Sequence, residues 1–150
     1  MGEANLKQRI INEMKVAMRA RDRQRLDAIR LIQAEIQRVE VDERVSVDDD
    51  RILTILDRMT KQRRDAIDQY EQAARLDLAA RERAEIEVIA GFLPTPLSSA
   101  EVDALIDAAI GATGATTARD IGRVMAVLKP QLQGRADLGA ASAQIKARLG

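Results

Sequence analysis

The chain has 150 residues, no cysteine, no histidine, and 24 basic side chains balanced by 24 acidic ones. That composition excludes a disulfide framework, a Cys/His zinc site, a cysteine nucleophile and a Ser-His-Asp triad. A neutral total also excludes a globally basic nucleic-acid binder, so any such role must rest on local patches.

The length suits one domain or two small ones, enough to bury roughly 70% of the unfolded surface. Abundant Ala, Leu, Ile, Arg, Glu, Asp and Gln with few aromatic residues favour helix. Leu6, Ile10, Met14 and Ala17/Met18 recur at helical spacing and predict a first amphipathic helix. Arg21-Asp22-Arg23 interrupts the stripe, and Leu26, Ile29, Ile32, Ile36 and Val39 predict a second. Acids crowd positions 40–50, where Ser46 or Asp48 can cap a third helix, the aspartates favouring its positive end. That helix carries Ile52, Ile55/Leu56, Met59, Ile67 and Tyr70. A fourth carries Leu78, Ile86, Ile89 and Leu93, and Pro94 stops it.

Two prolines in FLPTPLSS, residues 92–99, cannot lie inside one helix, which places a domain boundary there: 1–94 and 95–150. Ser98-Ser99-Ala100-Glu101 then fits a capping box for a helix with Val102, Leu105, Ile106 and Ala109, ended by Gly111 and Gly114. Thr117-Ala118-Arg119-Asp120 repeats the capping pattern before Ile121, Val124, Met125 and Leu128. This helical run meets Pro130, a turn Gly134-Arg135-Ala136-Asp137 follows, and Leu138, Ala141, Ile145 and Leu149 predict the last helix. No strand-like alternation of useful length occurs, so the fold is predicted to be all-α.

The neutral total hides local asymmetry. Lys7, Arg9, Lys15, Arg19, Arg21, Arg23 and Arg25 stand against Glu13 and Asp22, a local +5. Arg119, Arg123, Lys129, Arg135, Lys146 and Arg148 stand against Asp120 and Asp137, a local +4. The acidic run has the chemistry to hold Mg²⁺ or Ca²⁺, but it lacks the glycine and terminal glutamate of an EF-hand loop and reads as a solvated helix start. Ser98-Ser99 has the chemistry of a nucleophile with Lys129 or Lys146 as base, yet capping accounts for the pair. In the third helix Lys61–Asp65, Arg64–Asp68 and Glu71–Arg75 are spaced i, i+4, which predicts a salt-bridged surface. The turn is harder to exhaust. Gly134 suits a left-handed helix stop and Asp137 a cap, but Arg135 between them is unexplained, as are Arg123 and Lys129 upstream. Free turn amides beside three cations would make a phosphate site, and a purely structural corner is the alternative.

Several segments taken in order resemble one family. They are Met14-Lys15 through Arg21-Asp22, Leu26-Asp27-Ala28-Ile29-Arg30-Leu31, Lys61-Gln62-Arg63-Arg64, Phe92-Leu93-Pro94, Asp120-Ile121-Gly122-Arg123-Val124-Met125 and Gly134-Arg135-Ala136-Asp137. Together they resemble the GatB/YqeY family, and within it the stand-alone YqeY-like proteins. The resemblance implies an N-terminal bundle of about four helices followed by a small C-terminal three-helix domain. The latter is similar to the tail domain of the B subunit of tRNA-dependent amidotransferases, which helps hold the tRNA elbow while chemistry occurs elsewhere. The family accordingly carries the label of carbon–nitrogen ligase with glutamine as amido-N-donor.

The chain is too short for the catalytic domain of those enzymes, so no activity of its own is expected. Gln133 and Ala126 stand where lysine and glycine are frequent in the family, which implies weaker RNA contact. The expectation is a cytoplasmic, tRNA-associated accessory module with Arg119, Arg123, Lys129, Gly134 and Arg135 as RNA-binding candidates. No catalytic residue, cofactor or metal is expected. The alternative is a protein-interaction module docking on amidotransferase subunits or another partner. No apolar run reaches the ~20 residues of a membrane span. MGEANLKQRIINEMK lacks the apolar core of a signal peptide, and Gly2 lacks a Ser or Thr at the myristoylation spacing.

Overall fold

The structure is a computed structural model that describes residues 5–150; Gly2, considered above for acylation, lies outside them. The described residues form seven α-helices: α1 (Leu6–Ala20), α2 (Arg23–Glu43), α3 (Asp49–Gln72), α4 (Leu76–Ala90), α5 (Ser99–Thr113), α6 (Ile121–Leu132) and α7 (Leu138–Leu149). The architecture is the predicted all-α one, an N-terminal bundle of α1–α4 and a C-terminal group of α5–α7. Two compact units result, one ending at Leu93 and the other running from Pro94 to Gly150. Among the described residues no helix is long and apolar enough to cross a membrane.

In the first unit the aliphatic stripes converge on Ile10, Ile29, Ile32, Ile52, Leu56 and Ile89, with Phe92 sealing one end. α3 and α4 pack along each other, α1 lies on α2, and α2 also packs on α4. Helix starts follow local capping chemistry. Asn5 accepts from the Gln8 amide at 2.8 Å, and Asp48, not Ser46, caps α3 by accepting from the Arg51 amide at 2.9 Å. Thr60 is the buried polar side chain of the first core, and its hydroxyl donates to the Leu56 carbonyl one turn back.

The second unit has its own core, centred on Ile106, Val124, Leu128, Leu132 and Ile145. α6 packs on both α5 and α7. Ser98 and Glu101 close the predicted capping box: Ser98 Oγ accepts from the Glu101 amide at 3.1 Å, and the Ser98 amide donates to Glu101 Oε1 at 3.0 Å. Gly114 ends α5 with φ 67°, a left-handed conformation that favours glycine.

Three local expectations are corrected. α4 stops at Ala90 and not at Leu93, because the Phe92 and Leu93 amides turn to the Ile89 and Ala90 carbonyls and Pro94 disfavours helix at Leu93. Gly111 lies inside α5, leaving Gly114 alone as its stop. The i, i+4 pairs foreseen on α3 do not form. Glu71 binds Arg83 of α4, Arg75 binds Asp77 at 3.2 Å, and Lys61 and Arg64 have no ion pair among the described residues. For Glu71 the helix–helix contact supplies a partner, Arg83, in place of one on the helix's own surface. Pro130 also lies inside α6, near its end, where only the bond to the Ala126 carbonyl is lost.

Leu128 is fully buried, whereas its neighbour Val127 is 38% exposed. Leu128→Ala is expected to cost ~2–5 kcal/mol in urea denaturation, against less than ~0.5 kcal/mol for Val127→Ala.

Candidate nucleic-acid interface

The cations nominated in the second unit are placed by α6 and its two flanks. Ahead of α6 a single 3-10 turn, Ala118–Asp120, presents Arg119 to solvent with no ion pair or hydrogen bond among the described residues. The Asp120 carboxylate turns back to accept from the Thr116 and Thr117 amides at 3.0 and 3.3 Å. Arg123 donates to its other oxygen at 2.8 Å and to the Thr113 carbonyl at 3.3 Å, joining the start of α6 to the end of α5. The Thr116 amide, then the Arg123 side chain and the Thr117 amide, lower the Asp120 pKa from the ordinary 3.8 to about 2. Asp120 therefore takes up the two amides that lead into the 3-10 turn ahead of α6.

At the far end, Gly134 adopts φ 73° and is buried. The Arg135 and Ala136 amides both donate to the Leu132 carbonyl, at 2.8 and 3.0 Å. Asp137 caps α7, accepting from the Gly139 and Ala140 amides at 2.9 and 3.3 Å. The turn thus has the stop-and-start form read from its sequence, but these four amides are engaged within the protein. Of the turn's own amides, those of Arg135 and Ala136 are therefore not free for a phosphate.

Arg135, unexplained in the sequence, proves to be a latch. Its Nε donates to the Thr95 carbonyl at 2.9 Å, and its own carbonyl accepts from the Leu97 amide at 2.9 Å. These two bonds pin the Pro-rich segment before α5 to the turn after α6. Half-buried Arg135 keeps its terminal nitrogens out of any further bond among the described residues.

The nominated residues do not converge on one point. Arg123 and Lys129 are six residues apart on α6, about 120° around its axis. Arg123 and the end of α6 are separated by ~14 Å of helix rise, with Arg135 beyond. Lys129 is exposed and unpaired. Arg148, part of the local +4, is held by Asp103 and Asp107 of α5. Lys146, not nominated from the sequence, is exposed on α7 with no partner among the described residues. Its position next to buried Ile145, on the flank away from Arg148, was the one available sign. Arg119, Lys129 and Lys146 remain as cations without a partner among the described residues.

Other candidate chemistries are absorbed by structure. Glu40 Oε2 accepts from Lys7 Nζ at 2.7 Å and from the Val47 amide at 3.1 Å, and Asp49 accepts from the Leu6 amide at 2.9 Å. Arg38 holds Asp42, and Arg51 holds Glu43. Among the described residues no group of three or more acidic side chains is placed to hold a metal ion.

Compared with known proteins, the chain matches the family described as "Yqey-like protein" over residues 7–149. It is 28% identical over 131 residues to "Altered inheritance of mitochondria protein 41, mitochondrial" of Pyrenophora tritici-repentis, covering 85% of this chain and 71% of that protein. It is also 28% identical over 95 residues to an uncharacterized protein of Schizosaccharomyces pombe, covering 63% of this chain and 77% of that one. The family resemblance read from the sequence is thereby borne out.

The geometry makes two predictions. Because its folded pKa is lowered, ionised Asp120 stabilises the fold fully above its ordinary 3.8 and loses that effect as pH falls through about 2. The gap in thermal midpoint between wild type and Asp120→Asn should therefore be widest above about pH 5 and close toward pH 2. Arg135→Lys keeps the charge but removes the Nε donor to Thr95, and is expected to cost ~0.5–1.5 kcal/mol in urea denaturation.

Proposed function

The chain belongs to the YqeY-like (GatB/YqeY) family, and we propose from that membership and the geometry of its C-terminal unit that it is a tRNA-associated accessory module acting by binding. One observation carries this reading: of the six cations in that unit, three are held by the protein and three are free. Arg123 and Arg148 neutralise aspartates, and Arg135 latches a carbonyl. Arg119, Lys129 and Lys146 are exposed and unpartnered among the described residues. Free surface cations attract a phosphate backbone and carry no base-reading information. The likeness of this unit to the amidotransferase tail domain supports tRNA as the RNA.

Binding would be led by shape and charge, because Tyr70 and Phe92 are the chain's aromatic residues and Phe92 is buried in the first core. No catalytic role is assigned to the chain, and the carbon–nitrogen ligase label is read as inherited from larger relatives. The mitochondrial designation belongs to the Pyrenophora protein, and the cytoplasmic location proposed for this chain is checked by cell fractionation.

Titration with unfractionated tRNA at several salt concentrations tests the reading. The test variant is Arg119→Gln/Lys129→Gln/Lys146→Gln, which leaves the structural Arg123 and Arg135 in place. Wild-type affinity should fall steeply with salt, and the variant's slope of log affinity against log salt should be shallower by about 2 to 3. Absent or salt-insensitive binding would sink the tRNA reading in favour of docking on amidotransferase subunits or another protein. Amide transfer from glutamine by the purified chain alone would overturn the non-catalytic assignment.

A further inference from the structure

The basic stretch from Lys7 to Arg25 is sorted by the fold into an inward and an outward set. Lys7 is held by Glu40 at 2.7 Å, and Arg25 by Glu13 at 3.1 Å. Arg9 donates to the Gly91 carbonyl at 2.6 Å and sits 5.5 Å above the Phe92 ring. Arg23 is exposed and also without an ion pair among the described residues. It lines a cleft, however, with Asp27, Asp77, Arg81 and Glu85, where acids outnumber the neighbouring base. Lys15, Arg19 and Arg21 remain, all exposed and without an ion pair or side-chain hydrogen bond among the described residues.

These three lie together. Lys15 and Arg19 are one turn apart on the same face of α1, separated by ~6 Å of rise, and Arg21 follows as the residue that ends the helix. The one acid in the run from Lys15 to Arg23 is Asp22, and its carboxylate faces the start of α2, accepting from the Arg25 amide at 3.2 Å. The negative end of α1 favours one nearby cation such as Arg19. It does not account for Lys15, more than a turn earlier, or for a third cation at the corner.

We infer that the α1–α2 corner is a second RNA-facing surface, on which Lys15, Arg19 and Arg21 take the phosphate backbone. The inference rests on the N-terminal unit alone and is independent of the reading given to the C-terminal one. The apolar side chains beside the cations, Val16 and Met18, are each half exposed. They are too few to form the apolar centre of a protein interface, which buries roughly 800 Å² per partner. They are equally too few for an interfacial membrane helix, which needs a broad apolar face. Phosphate contact requires no such area, only unpaired cations at the surface.

The test uses the full chain with Lys15→Gln/Arg19→Gln/Arg21→Gly. Arg21 has φ 57°, where glycine is at ease, so Arg21→Gly removes a charge without loss of fold and is expected to hold or raise the thermal midpoint. Binding to unfractionated tRNA, to poly-glutamate and to vesicles of phosphatidylserine and phosphatidylcholine is measured across salt concentrations, alongside the C-terminal triple variant. The proposal expects the tRNA salt slope of the corner variant to become shallower by about 2 to 3. It holds even where the C-terminal variant is unaffected, an outcome that would remove the C-terminal reading instead. An unchanged slope overturns it while leaving the C-terminal reading intact. A corner effect larger on poly-glutamate or vesicles than on tRNA overturns it in favour of an acidic protein or a membrane. Wild-type protein with no salt-dependent affinity for tRNA overturns both.

Discussion

A core built almost without aromatic side chains sets the terms for everything else in this molecule. The chain has one phenylalanine, one tyrosine and no tryptophan, so each unit must bury aliphatic stripes. Branched side chains fill the interior at native density only where helices approach closely, and buried Ala17, Ala28, Ala79, Ala109 and Ala141 leave room for that approach. Every helix therefore has to be amphipathic with a narrow tolerance. The same shortage bears on the proposed RNA reading, in which bases would have almost nothing to stack on and the grip would fall to charged side chains.

Aliphatic stripes alone do not fix where a segment begins or ends. Long-range polar bonds do that here, and they draw on the residues that look most chemical in the sequence. Asp49 receives the Leu6 amide, and Glu40 joins Lys7 to the Val47 amide, so the acidic run stitches the start of α1 to the segment leading into α3. Arg63, largely buried, binds Glu85 at 2.8 Å and the Met59 carbonyl, linking α3 to α4. In the second unit Arg135 does the same for the Pro-rich entry segment. A carboxylate or guanidinium with two such bonds is structural, and removing one partner would leave the other exposed to desolvation without compensation.

What could be read from the sequence was the part governed by near neighbours. Stripe periodicity located all seven helices, and Ser98-Glu101, Gly134 and Asp137 were legible as caps because a cap acts within four residues. Partner choice was not. Glu71 has Arg75 at helical spacing, yet Arg83 on the adjoining helix takes it. The Thr116 and Thr117 amides, which a phosphate would want, are taken by Asp120, and nothing in the spacing of the turn shows that the Arg135 and Ala136 amides return to Leu132. Which residues are cations and caps was legible, but which turn amides are already satisfied was not, since amide satisfaction is a three-dimensional property. Lys146 was passed over because its one local sign, a place beside buried Ile145 on the flank away from Arg148, does not show that it is unpaired.

The balance of charge gains a different meaning once partners are known. A chain with equal numbers of acids and bases gives no net attraction for a polyanion at distances beyond the Debye length, about 8–10 Å at ordinary salt. At contact the sum no longer matters, and the distribution does. Asp22, Asp48 and Asp137 sit against helix-start amides, where the dipole offsets their field, and Glu13, Asp103, Asp107 and Asp120 sit against arginines. The cations left over, among them those of the α1–α2 corner, Lys61 and Arg64 on α3, and Arg119, Lys129 and Lys146 of the second unit, have no carboxylate in bonding range among the described residues. A neutral protein arranged this way has little long-range steering. Under the proposed RNA reading, association would therefore be slow relative to a basic protein of the same size, and retention would depend on how many of these cations reach phosphates together.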